Sequence, residues 1–214
     1  MQAVMHCQTE LEADKWSAGF VPDDVLVRWF NDAYSTSRHL LTLYSVARGL
    51  NAQNILEVGF GRSSFVLMRA AAENHGYLCT CDRRDFRYLL TPEEQRVTTY
   101  VCDKVEALWN GGYHGFDFAF LDYFSSKTCS CAYCVAELSQ CIARMRQNGI
   151  IAVHDTLQQY EGIHAAVSEI LKRPDMEGVT LPFGYGLTLM RCLAPSAHGA
   201  IHDSFRKKRE PENA

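Results

Sequence analysis

Short apolar segments recur along this chain with helical stretches between them, and an acidic residue stands directly after most of them. Asn54-Ile-Leu-Glu-Val-Gly59 is the first, a buried-strand pattern that ends in glycine. Tyr77 to Cys81 is the second and is followed by Asp82. Residues 97–102 are the third, rich in β-branched side chains and followed by Asp103. Phe116 to Leu121 leads into Asp122, and Gly149 to Val153 leads into His154 and Asp155. Tyr185 to Cys192 reads as a late strand. Residues 63–75, 132–147 and 160–173 read as helices. Ser63 and Ser64 can cap the first of these, and Pro174 ends the last. Strands and helices that alternate at roughly 20–30 residues imply an α/β fold with a doubly wound, mostly parallel sheet. Ligands of such sheets bind beyond the carboxyl ends of the strands, where the strand order reverses. The residues that follow each strand are therefore the ones that carry function.

Outside that rhythm, Pro22 to Gly49 is helical in pattern, with Val25, Leu26, Trp29, Phe30 and Ala33 and then Leu40, Leu43, Tyr44 and Ala47 at helical spacing. The last ten residues are charged, contain proline and are expected to be disordered. The chain thus divides into an N-terminal helical extension (1–37), a ligand-binding domain (38–193) and a charged tail (194–214). A length of 214 residues with 47% hydrophobic side chains suffices for one sizeable core. The net charge of −4 gives no global attraction to nucleic acid, and Arg206 to Arg209 read as a solvated end. No apolar run approaches the roughly 18 residues of a membrane span, and the N-terminus lacks an apolar signal core. A cytoplasmic enzyme with no membrane and no nucleic-acid partner is the expectation.

The first strand end reads Glu57-Val-Gly59-Phe-Gly61-Arg-Ser63-Ser64. Two glycines let the backbone turn sharply and approach a ligand, and the helix that follows presents unpaired N–H groups. Asp82 lies 25 residues beyond Glu57, where an acid commonly accepts hydrogen bonds from ribose hydroxyls. A nucleoside ligand is implied. A pyrophosphate would meet the negative charges of Glu57 and Asp122, so a ligand with cationic groups fits better. S-adenosylmethionine carries an ammonium and a sulfonium and no phosphate.

These residues resemble those of class I S-adenosylmethionine-dependent methyltransferases. Ile55-Leu-Glu-Val-Gly-Phe-Gly61 resembles the first motif of that family, Cys81-Asp82 its ribose-binding acid and Cys102-Asp103 its adenine-binding acid. Phe116 to Asp122 resembles the fourth motif, Gly149 to Asp155 the motif of the fifth strand, and Gly186 to Met190 the late antiparallel strand. The resemblance covers roughly residues 38–193 and implies a seven-stranded Rossmann-like sheet. It implies cofactor contacts from Glu57, Gly59, Gly61, Ser63, Ser64, Asp82, Arg83, Asp103 and Asp122. Within the class, Phe120-Leu-Asp122 and His154-Asp-Thr156 resemble small-molecule O-methyltransferases of the catechol type and antibiotic-tailoring methyltransferases. The implied reaction is methyl transfer to a small-molecule acceptor at oxygen.

Catechol-type enzymes hold magnesium through an Asp after the fourth strand and an Asp-Asn pair after the fifth. The matching residues here are Asp122, Asp155 and Thr156, with His154 directly before Asp155. An Asp, His and Asp set suits iron, manganese or zinc better than magnesium. The family's lysine three residues after the fourth-strand Asp is Ser125 here, with Lys127 two further on. His154 is then the leading general base, since imidazole titrates near neutrality. A hydroxyl made acidic by a metal is the alternative route. Catalysis is assigned to His154, Asp155 and Asp122, and Tyr123 and Phe124 are expected to wall the acceptor site.

The nine cysteines include Cys129, Cys131 and Cys134, with Cys141 seven residues on along the same helix. Thiolates at such spacing can hold a structural zinc, and free thiols are the simpler reading. Cys79 and Cys81 alternate along a strand and read as core. Other readings stay open: a metal-dependent hydroxylase-like enzyme on the same fold, a non-catalytic nucleoside-binding subunit, and a nicotinamide or nucleotide-sugar enzyme. Exposed-looking aromatics of the N-terminal helices are compatible with a homodimer.

Overall fold

A computed structural model describes residues 36–124 and 129–194. Seven strands form one sheet: β1 (Asn54–Val58), β2 (Tyr77–Asp82), β3 (Thr98–Cys102), β4 (Phe116–Leu121), β5 (Met145–His154), β6 (Met176–Leu181) and β7 (Leu187–Cys192). Their order across the sheet is β3-β2-β1-β4-β5-β7-β6. β1 pairs in parallel with both β2 and β4, and β4 with β5, whereas β7 runs antiparallel to β5 and to β6. The chain moves outward from β1 to β3 and then returns to lay β4 against the other side of β1. The order therefore reverses between β1 and β4, and the crevice at their carboxyl ends is the natural ligand site.

Helices cover both faces. Strand alternation sends Leu56 and Val58 to one side and Ile55 to the other. The first side packs on α4 (Val105–Asn110), α5 (Cys131–Ile142) and α6 (Glu161–Ile170), through Leu108, Leu138, Ile163 and Val167 among others. The second side packs on α1 (Leu40–Gly49) and α2 (Arg62–Glu73), through Leu43, Ala47, Val66, Leu67 and Ala70. Phe116, Phe118 and Phe120 are fully buried in β4, the strand at the centre of the sheet. Two faces covered by helices explain why the inner strands read as continuous apolar runs.

Three boundaries depart from the sequence reading. The helix expected over 132–147 ends at Ile142, and the chain is already strand at Met145. Met145 is apolar and falls on the helical repeat, but it pairs with Phe116 at the start of β4. A short apolar segment has no periodicity of its own, so only the pairing partner decides it. β6 lies inside the stretch that the sequence left without a strand. It is an edge strand with mostly exposed side chains, and so it lacks an apolar signature. The short helices α3 (Pro92–Arg96) and α4 also went unread, being too brief to show a period. The helical extension before Thr36, Ser125, Lys127 and the charged tail lie outside the described residues. Among the described residues no helix is long and apolar enough to cross a membrane.

Candidate functional site

At the end of β1 the chain turns through Gly59 at φ +100°. Its N–H donates to the carbonyl of Cys81, and the N–H of Asp122 donates to the carbonyl of Val58, each at 2.9 Å. Gly59 is thus held between the ends of β2 and β4. A Cβ built there would stand 2.5 Å from the carbonyl oxygen of Asp122. Glycine is required by both conformation and space.

Behind this turn the Glu57 carboxylate is fully buried. It accepts hydrogen bonds from Ser63 Oγ at 2.6 Å, Ser64 Oγ at 2.5 Å and Thr80 Oγ1 at 2.9 Å. Ser64 Oγ in turn accepts from the N–H of Gly61 at 2.9 Å. Glu57, Ser63 and Ser64 were expected to touch the cofactor. The structure engages them with one another, tying the first turn of α2 to β1 and β2 beneath the loop. Burial raises the Glu57 pKa from its ordinary 4.5 to about 7, against the pull of the three hydroxyl donors. The folded state then binds more protons than the unfolded chain between those two values. Stability should fall as pH rises across that window, by on the order of 2–3 kcal/mol. Glu57→Gln is expected to remove this slope, as checked by denaturant unfolding at pH 5 and pH 7.5. A slope that survives the substitution belongs to another group.

Beside Gly59 opens a cavity of about 560 Å³, lined by Gly59, Asp82, Arg83, Asp103, Tyr123 and Tyr133 among others. Of the expected cofactor residues it gathers Gly59, Asp82, Arg83 and Asp103. Asp82 is fixed by two backbone donors, Phe60 N–H to Oδ2 at 3.1 Å and Arg84 N–H to Oδ1 at 2.8 Å. Each carboxylate oxygen keeps a second lone pair for a ligand. Asp103 accepts the N–H of Lys104 at 2.6 Å. Tyr123 and Phe124 stack at 4.4 Å between centroids, but their roles divide. Phe124 is buried in the core, while Tyr123 lines the cavity and donates its hydroxyl to Glu137 at 2.7 Å. Glu137 also accepts from Trp109 Nε1 at 2.8 Å, a link the sequence did not suggest.

At the ends of β4 and β5, His154 Nδ1 lies 2.9 Å from Asp122 Oδ1 and 3.2 Å from Asp155 Oδ1. Asp122 Oδ2 accepts a second bond from Thr36 Oγ1 at 3.2 Å. Burial disfavours charge on His154, but the carboxylates of Asp122 and Asp155 outweigh it and hold its pKa above the usual value. Burial likewise opposes ionisation of Asp122, and the imidazole and Thr36 outweigh it, so the Asp122 pKa is lowered. Asp155, at φ +58°, is raised to about 6 by burial and by Asp122. Donor atoms of Asp122, His154 and Asp155 all lie within 4.8 Å of one another, and they are the one such cluster of three among the described residues. Asp155 Oδ1 is buried and makes no hydrogen bond beyond its 3.2 Å ion-pair contact with His154 Nδ1. Thr156 was the expected third ligand. Its hydroxyl accepts from Thr188 Oγ1 at 2.8 Å, and among imidazole and carboxylate donors His154 joins Asp122 and Asp155.

His39 escaped the sequence reading. It is fully buried, 5.1 Å edge-on from the His154 ring and 5.1 Å from the ring of Phe183. Burial and the neighbouring His154 lower its pKa to about 4. A histidine within an amphipathic helical pattern gives no signal for such a position. Among the described residues Cys129, Cys131 and Cys134 are free thiols and do not form a three-ligand cluster. Cys79 and Cys81 are buried in β2, as their alternation implies.

Solved structures place this architecture. An O-methyltransferase from Bacillus cereus in complex with S-adenosylhomocysteine superposes with a TM-score of 0.60 at 16% identity, covering 87% of this chain and 99% of that one. An S-adenosylhomocysteine-bound methyltransferase from Podospora anserina gives 0.59 at 14% identity, over 85% and 93% of the two chains. A methyltransferase from Geobacter sulfurreducens gives 0.59 at 18% identity, over 82% and 92%. The chain has the methyltransferase fold. The sequence itself matches no protein-family model and no curated protein.

Proposed function

We propose that this chain transfers a methyl group from S-adenosylmethionine to an oxygen of a small-molecule acceptor. The observation that carries the reading is the cavity beside Gly59, at the β1/β4 crevice, with the Asp82 and Asp103 carboxylates on its wall. Similarity of fold to S-adenosylhomocysteine-bound methyltransferases supports it. Asp82, an acceptor-only group held rigid by two backbone N–H donors, suits a ribose diol. Asp103 suits the adenine amino group, and Arg83 and Tyr133 border the same space. The backbone at Gly59 and Gly61 lets the ligand approach closely. The cofactor would supply an electrophilic methyl carbon.

The chain must then orient the acceptor and take its proton. His154 is the base in this reading. Asp122 accepts the proton on Nδ1 and so fixes the ring's orientation and tautomer. The same cluster fits a divalent ion: one imidazole and two carboxylates, with donor atoms within 4.8 Å of one another, suit iron, manganese or zinc. Such an ion would make an acceptor hydroxyl more acidic. Titration calorimetry with S-adenosylhomocysteine tests the core of the proposal. Micromolar binding is expected, weakened about 10–100-fold in Asp82→Ala by loss of charge-assisted hydrogen bonds. A folded sample that does not bind would overturn it.

A further inference from the structure

The thiols at the cavity are unused by the chemistry above. Ser130 caps α5, its Oγ accepting the N–H of Tyr133 at 3.2 Å. Cys129 therefore stands just before the cap, and Cys134 is the fourth residue of the helix. In a capped helix these two positions face each other across the first turn, where a hydrophobic pair usually fixes the entry of the chain. Both are cysteine here, and after burial the neighbouring Cys129 thiol is the next influence that raises the Cys134 pKa, which places the two groups side by side. Sequence spacing draws attention to Cys131-Ala-Tyr-Cys134, but the cap geometry selects Cys129 as the partner of Cys134.

The two sulfurs differ in access. Cys129 is half-buried and lines the cavity, whereas Cys134 is fully buried beneath it. The backbone of Cys129 is packed on α6, where a Cβ on Gly162 would lie 2.1 Å from its carbonyl oxygen. The side chain of Cys129 can thus move with little displacement of the main chain. Cys79, Cys81, Cys141 and Cys192 are buried, and Cys102 is exposed without being placed at this turn.

We infer that Cys129 and Cys134 form a reversible dithiol–disulfide site whose oxidation draws Cys129 off the cavity wall and weakens cofactor binding. A peroxide is the oxidant class. The Cys129 thiolate attacks a peroxide oxygen, the O–O bond breaks and water leaves, giving a sulfenic acid on Cys129. Cys134 then attacks the Cys129 sulfur, the S–O bond breaks and a second water leaves. Two thiols lose two electrons and two protons, and hydrogen peroxide is reduced to two waters. The disulfide itself does not depend on the proposed activity; its effect on cofactor binding rests on that reading.

The test exposes the full-length protein to a small excess of hydrogen peroxide, blocks remaining thiols by alkylation and maps the cysteines by mass spectrometry. The peptide that carries residues 128–144 is expected to lose two hydrogens, and dithiothreitol should restore them. Cys131→Ala should keep that loss, and Cys129→Ala and Cys134→Ala should each abolish it. The exposed-side variant Cys129→Ala stands in if the buried one fails to fold. Persistence of the loss in Cys129→Ala, or over-oxidation without a crosslink, overturns the pair. In calorimetry the oxidised protein should bind S-adenosylhomocysteine at least about fivefold more weakly than the reduced protein. Equal affinities overturn the coupling to the cavity. Absence of binding in both states counts against the methyl-transfer reading, and the mass measurement still decides the thiol pair.

Discussion

Gly59→Ala is expected to abolish measurable S-adenosylhomocysteine binding and to lower stability by about 2–5 kcal/mol. Two independent costs combine. Alanine rarely adopts φ +100°, so the turn after β1 must change shape to admit it. The added Cβ would also lie 2.5 Å from Asp122 O and 3.0 Å from its carbonyl carbon, both backbone atoms that cannot swing aside. Relief requires separating the ends of β1 and β4. That movement displaces Asp122 from His154 and opens the cavity wall in one step. Denaturant unfolding and calorimetry on the same preparation check both parts. If Gly59→Ala binds as tightly as the parent, the crevice between β1 and β4 is not the ligand site.

His154→Asn is expected to cut turnover by about 10²–10⁴-fold while leaving S-adenosylhomocysteine affinity within about threefold. The asymmetry follows from placement. His154 does not line the cavity that holds Asp82 and Asp103, but sits beyond Asp122 at the end of β5. Asparagine can still donate to Asp122, so the buried carboxylate keeps a partner and the fold is spared. Release of S-adenosylhomocysteine with a panel of phenolic and other hydroxylated acceptors gives kcat and KM. Elemental analysis of parent and variant separates the two roles of the cluster. Loss of a stoichiometric metal with the substitution makes His154 a ligand; unchanged metal content makes it the base. An unaltered kcat would remove the cluster from catalysis.

The residues at the strand ends were legible because a parallel sheet buries both faces of its strands and leaves its chemistry at their carboxyl ends. Asp82, Asp103, Asp122 and His154 stand where four apolar runs stop, and that pattern needs no contact information. Glu57 shows the limit of such reading. Its carboxylate accepts three hydroxyls, from Ser63, Ser64 and Thr80. Thr80 comes from β2, and no spacing along the chain announces that pairing.

The same divide runs through the rest of the molecule. Sequence by itself determined the alternating α/β order, the glycine turn after β1 and the acids beyond the strands. Each of these follows from local periodicity, from the conformational freedom of glycine or from the burial of a run. Tertiary structure alone decided that Met145 is strand, that Thr156 turns to Thr188 and that His39 lies against His154. These outcomes depend on which side chains distant segments bring together, and a buried polar or thiol group takes the partner that packing supplies.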